Sequence, residues 1–501
     1  MELTVYNLSL ILSILLFSVG SRLLPRVSAR HGLFLRKGVL LISSYWFYVV
    51  LGGWGFLVIL IASSLMNFTW ATVLRRHSKV ALLWASIGCN ILLLVGFKYL
   101  LASTWLWGGW LNPSGVGMPI GISFWTFQAI SYLVDVYREE PSDPSLIELC
   151  LYMAFWPTVL AGPICRLPNM LPQFRDAPTE AWNDIGIGLT RIIQGLFMKF
   201  VLAQALVDGL TSKGGIGAGF DKTTAWGGTD VWILGIGYGF QLFFDFAGYS
   251  HIVIGCARLL GIQVNENFNR PYLAITPSLF WTRWHMSLSF WIRDYVFLPL
   301  SGFRRSSSWP YCALVLSMIV FGVWHGAKMT FLAWGAYHGV ILAAHRVGQL
   351  MKRRHEVHPS TSMGHFGSWA CTYLLISLGW ILFRANDMDQ AGAMLWAVIT
   401  PASYFHRTLP LEQYATVVVF AGAFFLFAGI SERFAAWNKQ YAAGERLRAF
   451  PVQVVLFAEL LNTRRAWWLT PISLVILMLA ILIAVKQELP SSVAPFLYGV
   501  F

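Results

Sequence analysis

The feature that most constrains this chain is a series of continuous apolar runs separated by short basic clusters. Such runs occupy residues 5–20, 38–74, 80–101, 119–136, 367–383, 413–430 and 468–485. An apolar segment of about 20 residues crosses a ~30 Å hydrocarbon core as a helix. Lipid offers no hydrogen-bond partner to the backbone, so only helices and closed barrels can span it. Barrel strands alternate apolar and polar residues in segments of about ten, and these runs do not alternate. The fold class is therefore an all-α polytopic membrane protein, with about eleven transmembrane helices by this spacing. Charged residues make up only 12% of the 501, against roughly 25% in soluble domains.

The basic clusters set the expected topology. Arg22, Arg26, Arg30, Arg36 and Lys37 follow the first run and belong on the cytoplasmic side, which puts the N-terminus outside. The run 38–74 is too long for one crossing and contains Leu51-Gly52-Gly53-Trp54-Gly55. It reads as two helices that turn there and return to Arg75, Arg76 and Lys79. The tryptophan-rich loop 102–117 then lies outside, while Arg346, Lys352, Arg353, Arg354 and later Arg433, Lys439, Arg446 and Arg448 lie inside. The net charge of +13 is spent on these clusters rather than on one continuous face, which excludes nucleic acid as a partner. Six cysteines sit in apolar stretches without a CxxC pair and read as packing residues, so no metal is expected. The N-terminus lacks a basic n-region and reads as a retained helix.

Residues 146–300 resist this counting, because Arg166, Arg191, Lys199, Asp245, Arg258, Arg283, Arg293 and Asp294 interrupt or border their apolar stretches. Half-crossing backbone is tolerated at depth only where protein buries it or water lines it, so a cavity is expected here. With no internal repeat or soluble segment, residues 1–501 form one integral-membrane unit. It comprises N-terminal helices (1–115), a core (116–350) and C-terminal helices (351–501).

Two histidines stand out. His325, in Phe321-Gly322-Val323-Trp324-His325-Gly326, ends the run 309–323, whose helical rise of about 22 Å leaves it inside the hydrophobic slab. Gly322 and Gly326 flank it and permit close approach of a backbone or a thin substrate. A packing histidine bonded to a carbonyl and a proton-accepting one both fit this position. The second, His285, lies in a segment read as one amphipathic helix from the N-cap Thr276 and Pro277 onward. Its aromatic stripe is Trp281, Trp284, Leu288, Trp291 and Tyr295, with Arg283, Ser287 and Asp294 on another face and Ser289 one turn from His285. Such a helix lies at an interface or against a cavity. Asp245, inside an aromatic run, requires a partner, of which Arg270 is one option. Lys98 is expected to snorkel to the outer surface.

No P-loop, GxSxG elbow, HExxH or cysteine ligand set is present. ATPase, serine hydrolase and zinc-protease readings lose their footing. Two histidines with amides and hydroxyls near a cavity suit general-base activation of a hydroxyl. A transporter or flippase for a polar lipid or glycan, and a non-catalytic scaffold, are the rivals.

The motifs at 119–138, 155–166, 241–250, 265–272, 280–295 and 321–326, with Lys98 and Gly379-Trp380-Ile381-Leu382-Phe383-Arg384, resemble in order and spacing the membrane-bound O-acyltransferase family, most closely its bacterial alginate O-acetyltransferase branch. The resemblance implies a funnel fold with re-entrant and amphipathic segments in a bacterial cytoplasmic (inner) membrane. It implies His325 as the catalytic histidine and His285 as the second polar position. Trp324, Gly326, Arg283, Ser289, Asp245, Tyr249 and Asn267 are the expected substrate-binding or supporting set. No tightly bound cofactor is expected; acetyl-CoA or an acyl carrier protein would bring a thioester to the cytoplasmic side. The acceptor would be an extracytoplasmic polysaccharide, reached with a periplasmic or surface transferase as partner. D-alanyl transfer to teichoic acid and O-acetylation of peptidoglycan are the alternatives within the family. A covalent acyl-histidine and a relay through a partner's serine remain alternative routes. His251 departs from the alginate branch, where an acidic residue would follow Gly-Tyr-Ser.

Overall fold

A computed structural model describes Phe17, Gly20, Leu24 and residues 29–442, except 101–117, 178–180, 209–214, 222–224, 305–307 and 355–361. The expected helices at 5–20 and 468–485 and the loop 102–117 fall largely or wholly outside the described residues. Helices account for nearly all regular structure, and no strand occurs among the described residues. Five described helices are long and apolar enough to cross a membrane: His31–Arg76, Val80–Tyr99, Asp184–Val207, Gly228–Leu259 and Met363–Arg384.

The long helix α1 (Ala29–Arg76) is broken at Gly53, whose φ of 82° and ψ of 170° only glycine adopts without strain. The break falls within the 51–55 turn read from the sequence, and each arm is long enough for one crossing. Trp54, Val58 and Phe34 stay exposed along it, as a lipid-facing surface requires. Helix α2 (Val80–Val95) runs into a π-helical turn, Gly96–Leu100. Helix α3 (Ile122–Tyr137) is buried almost throughout. The short α4 (Leu146–Ala154) is started by a capping box between Ser145 and Glu148, and α5 (Leu167–Arg175) follows.

Between α4 and α5, residues 155–165 are non-helical yet nearly all buried, which membrane depth tolerates only inside protein. Helix α6 (Ala181–Phe197) continues into a second π turn, Met198–Ala203. Helix α7 (Gly228–Leu259) is the central post, buried along most of its length. It lies against α6 where Gly188 and Gly195 meet Gly255 and Gly248. A Cβ on Gly195 would stand 2.4 Å from the Gly248 carbonyl oxygen, and one on Gly255 would stand 2.6 Å from that of Gly188. Small residues at such spacing let two helices touch by backbone.

The segment read as one amphipathic helix is broken. It forms α8 (Pro277–Trp281), a turn, and α9 (Met286–Ile292), which passes into a π turn at Arg293–Phe297. Of the two placements expected for its stripe, the structure favours the cavity: Trp281, Trp284, Leu288 and Trp291 are all buried in the core, and Trp281 lines a cavity. The cause is tertiary. Asn269 N–H donates to the Arg283 carbonyl and Met286 N–H to the Asn267 carbonyl, so the loop 262–270 takes bonds a continuous helix would have kept. Helix α10 (Trp309–His325) and α11 (Met329–Arg354) form a close antiparallel pair, followed by α12 (Ser362–Arg384), α13 (Met388–Ile399) and α14 (Leu411–Ala442).

Candidate functional site

His325 is the last residue of α10, and Gly326 beyond it is extended at φ 170° and ψ 173°. The close approach that Gly322 permits is made by the chain itself. A Cβ on Gly322 would lie 2.2 Å from the Phe331 carbonyl oxygen, and one on Gly335 would lie 2.3 Å from that of Met318. Backbone contact between α10 and α11 thus fixes the height of His325. The imidazole is 2% exposed and caged by rings. Trp324 lies at 4.6 Å between centroids, Phe383 at 4.9 Å, Trp334 and Phe321 at 5.4 Å, and Phe331 at 5.9 Å. Trp324 in turn packs on Phe127 and Phe124 of α3.

Two residues from the π turn after α2 close the end of α10. The Tyr99 hydroxyl donates to the Val323 carbonyl at 2.7 Å, and the Lys98 ammonium donates to the Trp324 carbonyl. Lys98 also lies 5.5 Å from the Trp324 ring centroid. The expectation that Lys98 snorkels outward is corrected: helix-terminal carbonyls are better partners for an ammonium than an apolar surface, and the π turn aims the side chain at them.

His285 is completely buried and sits in the left-handed region at φ 41°, as the N-cap of α9. Its ring stands edge-on to Phe246 of α7 at 4.7 Å. The neighbouring Trp284 packs on Trp380 at 4.8 Å, and Trp380 leads to Phe383. Lys98 reaches the carbonyl of the residue before His325, and the rings Trp284, Trp380 and Phe383 lead from the His285 turn to the His325 cage, so the three groups share one neighbourhood. Asn267, also fully buried, braces the turn that carries His285. It donates to Ser250 Oγ at 3.2 Å and accepts from Ser287 Oγ at 2.6 Å, while Ser287 Oγ accepts from the Ile164 N–H at 3.0 Å. Ser289 Oγ donates to the Trp284 carbonyl at 3.0 Å.

The remaining expected residues lie further off. Asp245 pairs with Lys199 of the second π turn, and Arg270 stands at φ 47° before the 271–273 turn. Tyr249 is half-buried on the same helix. Arg283 is half-buried, and its backbone carbonyl accepts from Asn269. His251 approaches Arg191 at 3.1 Å, and Arg191 is bonded to Glu266 at 2.5 Å. That pair places a carboxylate near the position where the family pattern would carry one. Sequence reading missed Phe383, Trp334 and the buried His338, whose ring contacts Trp334 and Trp281 at 5.0 and 5.1 Å. For Phe383 the signal was present in the 379–384 motif; for Trp334 and His338 the one cue was their separation by a helical turn.

A mostly apolar cavity of about 610 Å³ runs between α8, α9, α10 and α11. Trp281 and Phe321 line it and also contact one another at 5.3 Å. Arg293 and Arg346 line it too, and Arg346 belongs to a basic cluster assigned to the cytoplasmic side.

Broken helices that carry buried polar side chains to one aromatic chamber define a polytopic membrane protein with a polar site in its core. A sequence model of the membrane-bound O-acyltransferase family matches residues 120–360. A second model, of a family of unknown function, matches residues 454–501, outside the described residues. The chain is 36% identical over 284 residues to the probable alginate O-acetylase AlgI of Azotobacter vinelandii, 56% of this chain but only about half (54%) of that relative. It is 34% identical over 384 residues to the probable alginate O-acetylase AlgI of Pseudomonas putida, covering 73% of this chain and 75% of the relative. It is 31% identical over 397 residues to the peptidoglycan O-acetyltransferase of Helicobacter pylori, covering 72% and 73%. The chain belongs to the membrane-bound O-acyltransferase family.

Proposed function

We propose that this protein moves an acetyl group from a cytoplasmic thioester, acetyl-CoA or an acyl carrier protein, onto hydroxyls of an extracytoplasmic polysaccharide, with His325 as general base. The observation that carries the reading is the placement of His325: fixed by backbone contact, buried to 2%, ringed by aromatic side chains, and beside Phe321 at the edge of the 610 Å³ cavity. A histidine in such a site takes a proton without the cost of burying a permanent charge. The acceptor hydroxyl attacks the thioester carbonyl as His325 removes its proton, and the thiolate leaves with that proton. His285 orients or stabilises the same centre, and Asn267 holds the turn that presents it. The thioester enters through the apolar cavity, where Arg293 and Arg346 suit an anionic donor. A periplasmic or surface transferase completes delivery to the polymer.

The likeness to the Helicobacter pylori protein favours a second acceptor, peptidoglycan, served by the same chemistry; D-alanyl transfer to teichoic acid is the variant with another cargo. A polar-lipid or glycan transporter would consume no thioester. In membranes carrying His325→Ala, the chain should insert and fold as the parent does while acyl transfer falls by at least about 1,000-fold. Retained turnover in that variant sinks the assignment of the base.

A further inference from the structure

Lys98 has no role in the reading above, yet its position is unusual for a lysine in an apolar helix. It belongs to the π turn Gly96–Leu100, a helical irregularity that recurs at functional sites. An ammonium has three N–H donors. One is given to the Trp324 carbonyl, one peptide bond from His325, and no carboxylate pairs with Lys98 among the described residues. Lys98 therefore brings a positive charge that no described carboxylate neutralises, half-buried, to the same Trp324 ring that covers His325. A cation in a poorly solvated site is costly unless it meets negative charge during the working cycle.

We propose that Lys98 is a further catalytic residue, which binds the oxyanion that develops on the thioester carbonyl during acyl transfer. The proposal rests on His325 as the base. As the acceptor oxygen bonds to the carbonyl carbon, the C=O π electrons move to oxygen and the hydroxyl proton passes to His325. Lys98 donates a hydrogen bond to that oxygen and keeps its own proton. When the C=O bond re-forms, the C–S bond breaks and the thiolate takes the proton from His325. Charge-assisted donors already in place gain most from charge that appears only in the transition state.

The competing role is a helix cap on α10, shared with Tyr99. The experiment uses the full chain in native membranes with radiolabelled acetyl-CoA as the probe, counting label in base-labile ester. Lys98→Met should lower the maximal rate by about 10²- to 10³-fold while the KM for acetyl-CoA moves by less than about threefold, and Lys98→Arg should retain part of the rate. Added ethylammonium should restore Lys98→Met by roughly tenfold or more and leave His325→Ala inactive. Tyr99→Phe, which loses only a cap, should stay within about twofold of the parent. A parental rate in Lys98→Met beside an inactive His325→Ala overturns the role of Lys98 alone. A loss that ethylammonium does not restore, matched in Tyr99→Phe and in the yield of folded protein, reduces Lys98 to a cap. Full activity in His325→Ala removes the base itself, whatever the lysine variants do.

Discussion

Asn267 shows how much of this site depends on a residue that performs no chemistry. Its amide is spent on Ser250 and Ser287, and its carbonyl takes the Met286 N–H, the bond that starts α9 immediately after His285. The left-handed backbone of His285 costs about 1 kcal/mol or more in a non-glycine residue and persists because these bonds hold it. His285→Ala should lower acyl transfer by about 100-fold, the loss expected when one stabilising side chain is removed from a buried site. That is a smaller loss than in His325→Ala, and a parental rate would take His285 out of the site. Asn267→Ala should cost about 1–3 kcal/mol of stability by stranding the Ser287 hydroxyl. It should also lower the rate, read as ester-bound acetate formed per folded molecule. An unchanged rate in a folded Asn267→Ala would mean that the turn does not need its brace.

Among the elements, the pairing of α10 with α11 sets where the histidine stops, and that pairing tolerates no side chain at Gly322. Gly322→Ala would force the Cβ against the Phe331 carbonyl, 2.2 Å away, and backbone cannot give way as a flexible side chain can. The expected result is a loss of about 1–3 kcal/mol in detergent unfolding together with reduced transfer, since His325 moves with its helix. Gly38, with nothing within 4 Å of its Cβ position, serves as the control and should accept alanine without loss. Helices of this kind were legible in the sequence because lipid demands long apolar runs, and the Gly53 bend followed from a run too long for one crossing. His325 was legible as a position, by counting residues from the start of its run. The break at His285 was not, because it is dictated by hydrogen bonds that pair Asn269 with Arg283 and Asn267 with Met286, which no local pattern encodes. Lys98 was misread for a related reason: snorkelling depends only on a nearby surface, whereas its actual partner, the Trp324 carbonyl, is 226 residues distant. Lys199, a partner of Asp245 that no local pattern indicates, comes from a different helix, 46 residues upstream.

Across the whole molecule, a buried carboxylate ties α1 to the core. Glu148 in α4 is 3% exposed and accepts from Lys37 of α1 at 2.6 Å and from Arg175 of α5 at 3.0 and 2.8 Å. Its other contact, the Ser145 N–H, closes the capping box of α4. Arg36, the neighbour of Lys37, donates to the carbonyls of Gln173, Asp176 and Leu260, so the cluster that sequence assigned to topology also staples three elements. Burial alone would raise the Glu148 pKa, but hydrogen bonds from Arg175 and Lys37 outweigh it and hold the carboxyl well below the usual carboxylate range. A folded-state pKa below the unfolded one means that the ionised form is favoured by folding. The stabilisation is therefore complete above about pH 4.3, where an unfolded glutamate is ionised, and is lost as pH falls toward the folded value. Glu148→Gln should lower stability at pH 7 by about 1.5–3 kcal/mol, with Lys37 and Arg175 retaining enough water to keep the loss from being larger. The gap between parent and variant should narrow as the pH falls below 4, measured by thermal unfolding of both proteins in the same detergent. A gap that stays constant from pH 7 to the acid limb would show that this ion cluster does not hold α1 to the core.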